Sequence, residues 1–188
     1  MAHFIKSAFS ANDWIADGKT EFCFSGRSNV GKSSIINAMA KNKIAITSKT
    51  PGRTQLANFY QFDKFRLIDL PGYGFSNNSK DKNSDIANII DTYLSQRVNL
   101  FGVFQICDAG VITEMDKKMS IYFNKKFINH FIVLNKIDKI SKSQLNNNLD
   151  RISKFLMVKK DNILSISAKN NIGINLIFKK ITEVSKDI

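Results

Sequence analysis

The segment GRSNVGKS, residues 26–33, constrains the fold more than any other part of this 188-residue sequence. It matches the pattern GxxxxGK[ST], in which glycines let consecutive backbone N–H groups point at phosphate oxygens. The apolar run Thr20–Ser25 precedes it and predicts a strand, and Lys32–Lys41 follows with apolar residues at helical spacing. A strand, a glycine loop and a helix in this order predict a phosphate-binding loop in an α/β domain.

The rest of the chain alternates between strand and helix patterns, which predicts a mostly parallel six-stranded sheet with helices on both faces. Five further strands are predicted at 58–62, 65–70, 100–107, 127–134 and 162–166. Four further helices are predicted at 85–97, 114–123, 141–156 and 173–184. We expect residues 1–188 to form one domain, with 1–19 as an extension that leads into it.

Composition favours a cytoplasmic protein without a membrane segment. The first residues lack the continuous apolar region of a secretory signal, and no apolar run reaches the roughly 18 residues of a membrane span. Cys23 and Cys107 lie in apolar runs without Cys or His at metal-binding spacing, so we expect two buried free thiols. The net charge of +12 suits contact with RNA, although lysines scattered by codon bias are an alternative. We expect a monomer.

Two later strand ends favour guanine as the base. The segment NKID, residues 135–138, follows a buried strand, and the Asp138 carboxylate can accept from the ring N–H and the exocyclic amine of guanine. The stem of Lys136 can cover the plane of the base. A short N-K-x-D string also arises by chance. The segment SAK at 167–169 argues against chance, because the Ala168 N–H after the next strand can meet the guanine oxygen.

Phosphate and metal contacts are predicted at two places. Lys32 can reach the β- and γ-phosphates, and the Ser33 hydroxyl can bind Mg²⁺. The segment DLPG, residues 69–72, ends a strand, which places the Asp69 carboxylate near the ion through water and the Gly72 N–H near the γ-phosphate. The sequence therefore predicts a site for GTP or GDP with Mg²⁺.

Five motifs together resemble the EngB (YihA/YsxC) family of bacterial ribosome-assembly GTPases, within the translation-factor-related (TRAFAC) class. These motifs are GRSNVGKSS at 26–34, TSKTPGRTQ at 47–55, DLPGYG at 69–74, NKID at 135–138 and SAK at 167–169. Their order spans nearly the whole chain, and SKTPGRTQ with DLPGYG separates this family from Era-like and Ras-like relatives. Residues 108–110, Asp-Ala-Gly, depart from the family, which often carries an Asp-x-Arg-His run there.

The resemblance implies a Ras-like P-loop GTPase fold and a GTP-dependent switch in assembly of the large ribosomal subunit, with ribosomal RNA as a partner. An effect on cell division and septation is expected to follow from failed ribosome supply. Ser33 and Thr54 are the implied magnesium ligands, and residues 52–56 are the implied first switch, which closes over the γ-phosphate. Lys32, Thr54 and Gly72 are the expected catalytic residues.

Several alternatives stay open. Arg53 has two interpretations, contact with RNA or contact with the phosphates. Tyr73 stands where Ras-like enzymes carry a water-orienting Gln, so we expect slow hydrolysis, and Tyr73 can also simply pack the switch. In related GTPases an Asn at the position of Asn29 can bind K⁺; stabilisation of the loop is the alternative.

The rival functions are an RNA-binding module with negligible hydrolysis and a P-loop metabolic kinase, for which no acceptor site is visible.

The predicted nucleotide-binding residues come from the phosphate loop, the first switch, the DLPG turn and the two base loops: Gly26, Arg27, Ser28, Asn29, Val30, Gly31, Lys32, Ser33, Gly52, Arg53, Thr54, Gln55, Leu56, Asp69, Leu70, Pro71, Gly72, Asn135, Lys136, Ile137, Asp138, Ser167, Ala168 and Lys169.

Overall fold

The computed structural model describes residues 1–47, 56–73, 80–126 and 129–185, with only the backbone of 80–86. The strands in these ranges are β1 (His3–Ala8), β2 (Glu21–Gly26), β3 (Ala57–Gln61), β4 (Arg66–Asp69), β5 (Leu100–Asp108), β6 (Asn129–Asn135) and β7 (Ile163–Ser165). The α-helices are α1 (Lys32–Ala40), α2 (Lys80–Gln96), α3 (Glu114–Lys125), α4 (Lys142–Leu156) and α5 (Ile174–Ser185). Three short 3-10 turns lie at 11–13, 137–139 and 160–162.

Within the described ranges the strands form one mostly parallel sheet in the order β1-β3-β4-β2-β5-β6-β7. Only the β1–β3 and β3–β4 pairs are antiparallel. The expected α/β architecture is therefore confirmed, but the count of six strands was wrong by one. The additional strand is β1, which was assigned to the N-terminal extension. Its residues are mostly exposed, and a long-range pairing with β3 holds it in extended form.

Strand β2 shows why the sheet needs helices on both faces. All six of its residues are buried, as expected for a central parallel strand. Because successive side chains point to opposite faces, Phe22 and Phe24 pack with α1 and α5, whereas Cys23 packs with α2 and α3. Helix α4 covers the end of the second face over β6 through Ile152 and Leu156.

Both cysteines are buried free thiols, as predicted, and burial raises the pKa of each thiol. Cys23 and Cys107 act as small apolar side chains in the core. In the part of the chain that the structure describes, we find no helix both long and apolar enough to span a membrane.

A buried charge cluster holds the end of the sheet where β2 and β4 begin. Glu21 is fully buried, and its carboxylate accepts from Arg66 Nη1 at 2.9 Å, from Arg97 Nε and Nη2 at 2.6 Å each, and from the Tyr93 hydroxyl at 2.5 Å. Asp17 pairs with Arg66 Nη2 at 2.6 Å. These bonds connect the N-terminal segment, β4 and the C-terminal part of α2 to β2.

The opposite edge of the sheet carries the predicted site. Parallel strands β2, β4, β6 and β7 all end there, and their loops begin at the motifs that the sequence analysis singled out. Clefts outside the carboxyl ends of parallel strands are the usual ligand sites of open α/β sheets.

Candidate nucleotide-binding site

The loop between β2 and α1 has the backbone that its glycines require. Gly31 adopts a left-handed φ of +102° as the N-cap of α1, and a Cβ there would clash with the side-chain amide of Asn135. Asn29 also has a positive φ, +66°. Because α1 begins at Lys32, the unpaired N–H groups of its first turn lie beside the loop and add partial positive charge. The loop is built to bind phosphate.

Lys32, Ser33 and Asp69 form the charged centre of the site. Lys32 Nζ lies 3.9 Å from Asp69 Oδ1, and both side chains are buried. Burial raises the pKa of Asp69, while Lys32 and a hydrogen bond from Ser33 act in the opposite direction. Asp69 Oδ1 has no hydrogen-bond partner among the described residues. A buried carboxylate oxygen without a donor, beside a hydroxyl, fits the oxygen ligands and bound water that Mg²⁺ prefers.

The DLPG turn lies directly against the phosphate loop. The Tyr73 N–H donates to Gly26 O at 3.3 Å, so the chain continues alongside β2 after β4 has ended. A Cβ at Gly72 would lie 2.9 Å from Ser28 Oγ and 3.1 Å from Ser28 N. Glycine is therefore required at this contact, and the Gly72 backbone lies at the loop that would hold the phosphates.

Asn135 joins the phosphate loop to the base loops. Its Nδ2 donates to Val30 O at 2.9 Å, and its Oδ1 accepts from Ala168 N at 3.1 Å. The side chain is buried, so losing it would leave both backbone groups without their partner. This one side-chain amide therefore links the phosphate loop to the loops at 135–138 and 167–169.

Asp138 and Lys136, the two residues predicted to contact the base, make separate contacts in the loop that follows β6. Asp138 is exposed, and its Oδ1 accepts from Ser167 Oγ at 2.5 Å, which lowers the pKa of Asp138. Lys136 Nζ donates to Asn29 O and Asp108 Oδ2, both at 2.8 Å. The Lys136 stem thus reaches from the base loop to the phosphate loop, the course needed to cover a base.

The segment 108–110, which departs from the family pattern, has a clear structural role at this edge. Asp108 pairs with Lys136, and its Oδ1 accepts from the Gly110 N–H at 3.0 Å. The acidic partner of Lys136 is therefore supplied by the strand β5 end, without the Arg and His that the family often carries.

The partners of Arg27 and Tyr73 were not predicted from the sequence. The Arg27 guanidinium bonds to the Asp116 carboxylate and donates to Val111 O at 2.6 Å, so this side chain is directed to the start of α3. Tyr73 is buried, and its hydroxyl donates to Asp116 Oδ1 at 3.2 Å, in agreement with the packing interpretation. The local signal at Asp116 was a capping box with Thr113, which indicates a helix start and nothing more.

The remaining predicted residues are placed as follows. Residues 52–55 of the first switch, including Thr54, lie outside the described residues, as does Gly74, so their roles stay predictions. Leu56 is partly buried just before β3. Leu70, Pro71 and Ser167 are buried, Ile137 donates its N–H to Ile166 O at 3.2 Å, and Lys169 is exposed.

Comparisons with known proteins show the family to which this chain belongs. A family model described as a 50S ribosome-binding GTPase matches residues 21–136. The probable GTP-binding protein EngB of Malacoplasma penetrans is 56% identical over 184 residues, which cover 98% of this chain and 99% of that protein. The chain belongs to the EngB family of GTP-binding proteins. The EngB protein of Mycoplasma genitalium is 44% identical over 97% of this chain and 96% of its own.

EngB membership makes the chain a GTPase that binds GTP and GDP. A crystal structure of a probable GTP-binding protein EngB has a TM-score of 0.76 at 23% identity and covers 90% of this chain and 100% of that chain. A structure of Era with MgGDPNP and a segment of 16S ribosomal RNA has a TM-score of 0.72 at 23% identity, over 88% of this chain and 56% of that chain. At such identities the likeness concerns the fold alone, and it agrees with the predicted P-loop GTPase fold.

Proposed function

We propose that this chain is a magnesium-dependent GTP switch that acts in cytoplasmic assembly of the large ribosomal subunit. Residues 1–188 act as a single monomeric G domain, and cell division and septation depend on it through ribosome supply. The observation that carries the nucleotide part is the Asn135 side chain, which joins the phosphate loop to the base loop. Guanine bonds to Asp138 and shares the Ala168 N–H with Asn135 Oδ1, while the phosphates lie on the loop at 26–33.

Magnesium is bound at the Lys32 end of the site. Ser33 and Thr54 are its proposed ligands, and Asp69 bonds to its water through the oxygen that has no donor among the described residues. The ion neutralises charge on the β- and γ-phosphates when it is bound. Lys32 shares that task, and its 3.9 Å distance from Asp69 keeps the ammonium at the phosphate loop.

Slow hydrolysis is proposed because Tyr73 supplies no water-orienting group. Its phenol is directed into the protein, where Gln105 Nε2 donates to it at 3.0 Å. A GTPase that lacks an activating group hydrolyses on the order of 10⁻³ to 10⁻⁴ s⁻¹, and an arginine finger adds about 10³ to 10⁵. The switch would then persist in its GTP form until a partner completes the site.

Turnover of GTP by the isolated chain is expected to stay below roughly 10⁻² s⁻¹, measured as phosphate release under single-turnover conditions. The rate is measured in two buffers that differ only in containing potassium or sodium ions. A higher rate in potassium would assign Asn29 to a potassium site, and equal rates would leave Asn29 a residue that stabilises the loop. Rates above roughly 10⁻² s⁻¹ in both buffers would contradict slow hydrolysis.

The distribution of charge supports a ribosomal RNA partner. Residues 114–161 contain eleven Lys and Arg but five Asp and Glu, so about a quarter of the chain carries half of its net charge of +12. Asp116, one of those five acids, is buried against Arg27. Helices α3 and α4 pack side by side, where Ser120 Oγ donates to Leu156 O. Lysines and arginines on such a surface bind RNA phosphates.

The matching family model favours a partner in the large subunit, because it is described as a 50S ribosome-binding GTPase. The alternative function, an RNA-binding module with negligible hydrolysis, would use the same basic surface, and its nucleotide site would be only structural.

Sedimentation with ribosomal subunits tests this proposal. We expect the chain to sediment with the large subunit in the presence of a non-hydrolysable GTP analogue and to stay in the supernatant with GDP, because the γ-phosphate orders the switch. Equal sedimentation with both nucleotides would favour the RNA-binding module instead.

A charge-matched pair of variants tests, in the same assay, the exposed side of helices α3 and α4, which we call the α3–α4 surface. Lys118→Gln with Arg151→Gln removes two exposed charges from it, and we expect about tenfold weaker binding and a shallower salt dependence. The control, Lys64→Gln with Lys179→Gln, removes two exposed charges elsewhere. Equal losses in both variants would show that overall charge, not this surface, drives binding.

A further inference from the structure

Asp116 lies outside the five nucleotide motifs, yet the phosphate loop and Tyr73, which follows the DLPG turn, both bond to its carboxylate. It is the third residue of α3 and is fully buried. Arg27 Nε lies 3.1 Å from its Oδ1 and 3.0 Å from its Oδ2. The Tyr73 hydroxyl donates to Oδ1 at 3.2 Å. One carboxylate thus contacts the second residue of the phosphate loop and the residue that follows Gly72.

The orientation of this carboxylate is fixed from its own side. Thr113 donates to Oδ2 from both its N–H and its hydroxyl, each at 2.9 Å. The backbone carbonyl of Asp116 accepts from Gln105 Nε2 at 2.7 Å, which holds the start of α3 against β5. With four donors on two oxygens, the side chain cannot turn without breaking several bonds. Asp116 is therefore a rigid attachment point.

Tyr73 transmits this rigidity to Gly72. Gln105 Nε2 donates to the Tyr73 oxygen at 3.0 Å, so the hydroxyl hydrogen is directed to Asp116. Burial raises the pKa of Tyr73 well above its usual value, which keeps the phenol protonated at physiological pH. Gly72, one residue earlier, already lies in contact distance of Ser28. The position of its backbone over the phosphate loop depends on where the Tyr73 side chain is held.

We propose that Asp116 is a positioning residue for recognition of the γ-phosphate. Through Tyr73 it sets where the Gly72 N–H stands over the phosphate loop, and through Arg27 it keeps the loop aligned with that turn. The inference rests on the proposed role of Gly72 as the amide that meets the γ-phosphate. GDP lacks this phosphate, so its affinity depends on the loop but not on Gly72. Loss of the Asp116 link weakens GTP binding more than GDP binding.

The test compares the dissociation constants of GDP and a non-hydrolysable GTP analogue in two variants. Tyr73→Phe removes only the hydroxyl, and we expect analogue binding to weaken about fivefold to tenfold, as for one buried hydrogen bond, with GDP binding within about twofold of the wild type. Asp116→Asn keeps the side-chain shape. We expect it to raise the ratio of the dissociation constant of the GTP analogue to that of GDP at least as much as Tyr73→Phe does. Tyr122→Phe is the matched control, because its hydroxyl bonds to Asp91 on the surface, away from the loop.

The outcomes separate this inference from the function on which it rests. An unchanged ratio in Tyr73→Phe and Asp116→Asn, including an equal weakening for both nucleotides, would overturn the role of Asp116. Gly72→Ala is the third arm, since its Cβ would press on Ser28. If Gly72→Ala also leaves the ratio unchanged, the proposed role of Gly72 fails. If it alone changes the ratio, only the inference about Asp116 fails. Should Asp116→Asn not fold, Tyr73→Phe decides.

Discussion

Replacing Asp138 with Asn will weaken GTP binding by about 100-fold or more and shift the preference to xanthosine triphosphate. The carboxylate accepts from two guanine donors, and each hydrogen bond to a charged group contributes about 1.5–3 kcal/mol. An amide nitrogen turned to the base would face the exocyclic amine of guanine, donor against donor. Xanthine carries an oxygen at that position and restores the pairing. A site built on hydrogen bonds discriminates strongly against a mismatched partner.

The structure makes this substitution a clean one. Asp138 is exposed, and its Oδ1 accepts a hydrogen bond from the Ser167 hydroxyl. The side-chain oxygen of an asparagine can accept the same bond. Titration with fluorescent guanosine and xanthosine nucleotides measures both affinities. Asp161→Asn is the control, because Asp161 is an exposed aspartate in another loop. An unchanged preference for GTP in Asp138→Asn would refute the assignment of Asp138 to the base.

Replacing Glu21 with Ala is expected to lower the free energy of unfolding by about 3–5 kcal/mol. The substitution removes the shared acceptor of Arg66, Arg97 and Tyr93, so two largely buried guanidinium groups lose the carboxylate between them. Asp17 still pairs with Arg66, but it is partly exposed and reaches only one of the two arginines. A loss of this size approaches the whole stability of many domains.

Urea unfolding of Glu21→Ala measures this loss, and Tyr93→Phe provides the control. Tyr93→Phe removes a single donor from Glu21 and should cost only about 1 kcal/mol. Nucleotide affinity at low temperature should stay close to that of the wild type, because the cluster lies at the other end of the strands from the phosphate loop. A loss below 1 kcal/mol in Glu21→Ala would contradict the view that this carboxylate holds the cluster together.

The buried carboxylates of Glu21 and Asp69 differ in their hydrogen-bond partners, and this difference distinguishes a structural carboxylate from one in a binding site. Glu21 has both oxygens occupied by donors from three residues, and its role is to join elements. Asp69 is just as buried, but one of its oxygens has no donor among the described residues, and burial raises its pKa. This oxygen lies 3.9 Å from Lys32 Nζ, which partly balances its charge, and its lone pairs stay available for the magnesium-bound water that we propose.

Sequence patterns were sufficient wherever a property depends on neighbouring residues. The phosphate loop needs glycines and a Lys-Ser pair within eight positions, and the structure shows the left-handed Gly31 and the helix that begins at Lys32. Strand and helix order also followed from local apolar spacing, since β2 and α1 bury one continuous set of side chains. The base loops were recognisable because both follow buried parallel strands, whose ends meet at one edge.

Local sequence patterns were therefore enough to predict the α/β alternation, the phosphate loop and the family that the motifs resemble. The structure was needed to show that His3–Ala8 forms an additional strand, because that segment pairs with β3, far along the chain, from His3 with Gln61 to Ala8 with Ala57. The structure was also needed to show that Arg27 and Tyr73 share Asp116 as their acceptor. They lie 89 and 43 positions before it in the chain. A buried carboxylate takes its partners from whatever the fold brings within about 3 Å, and local spacing carries no information on that.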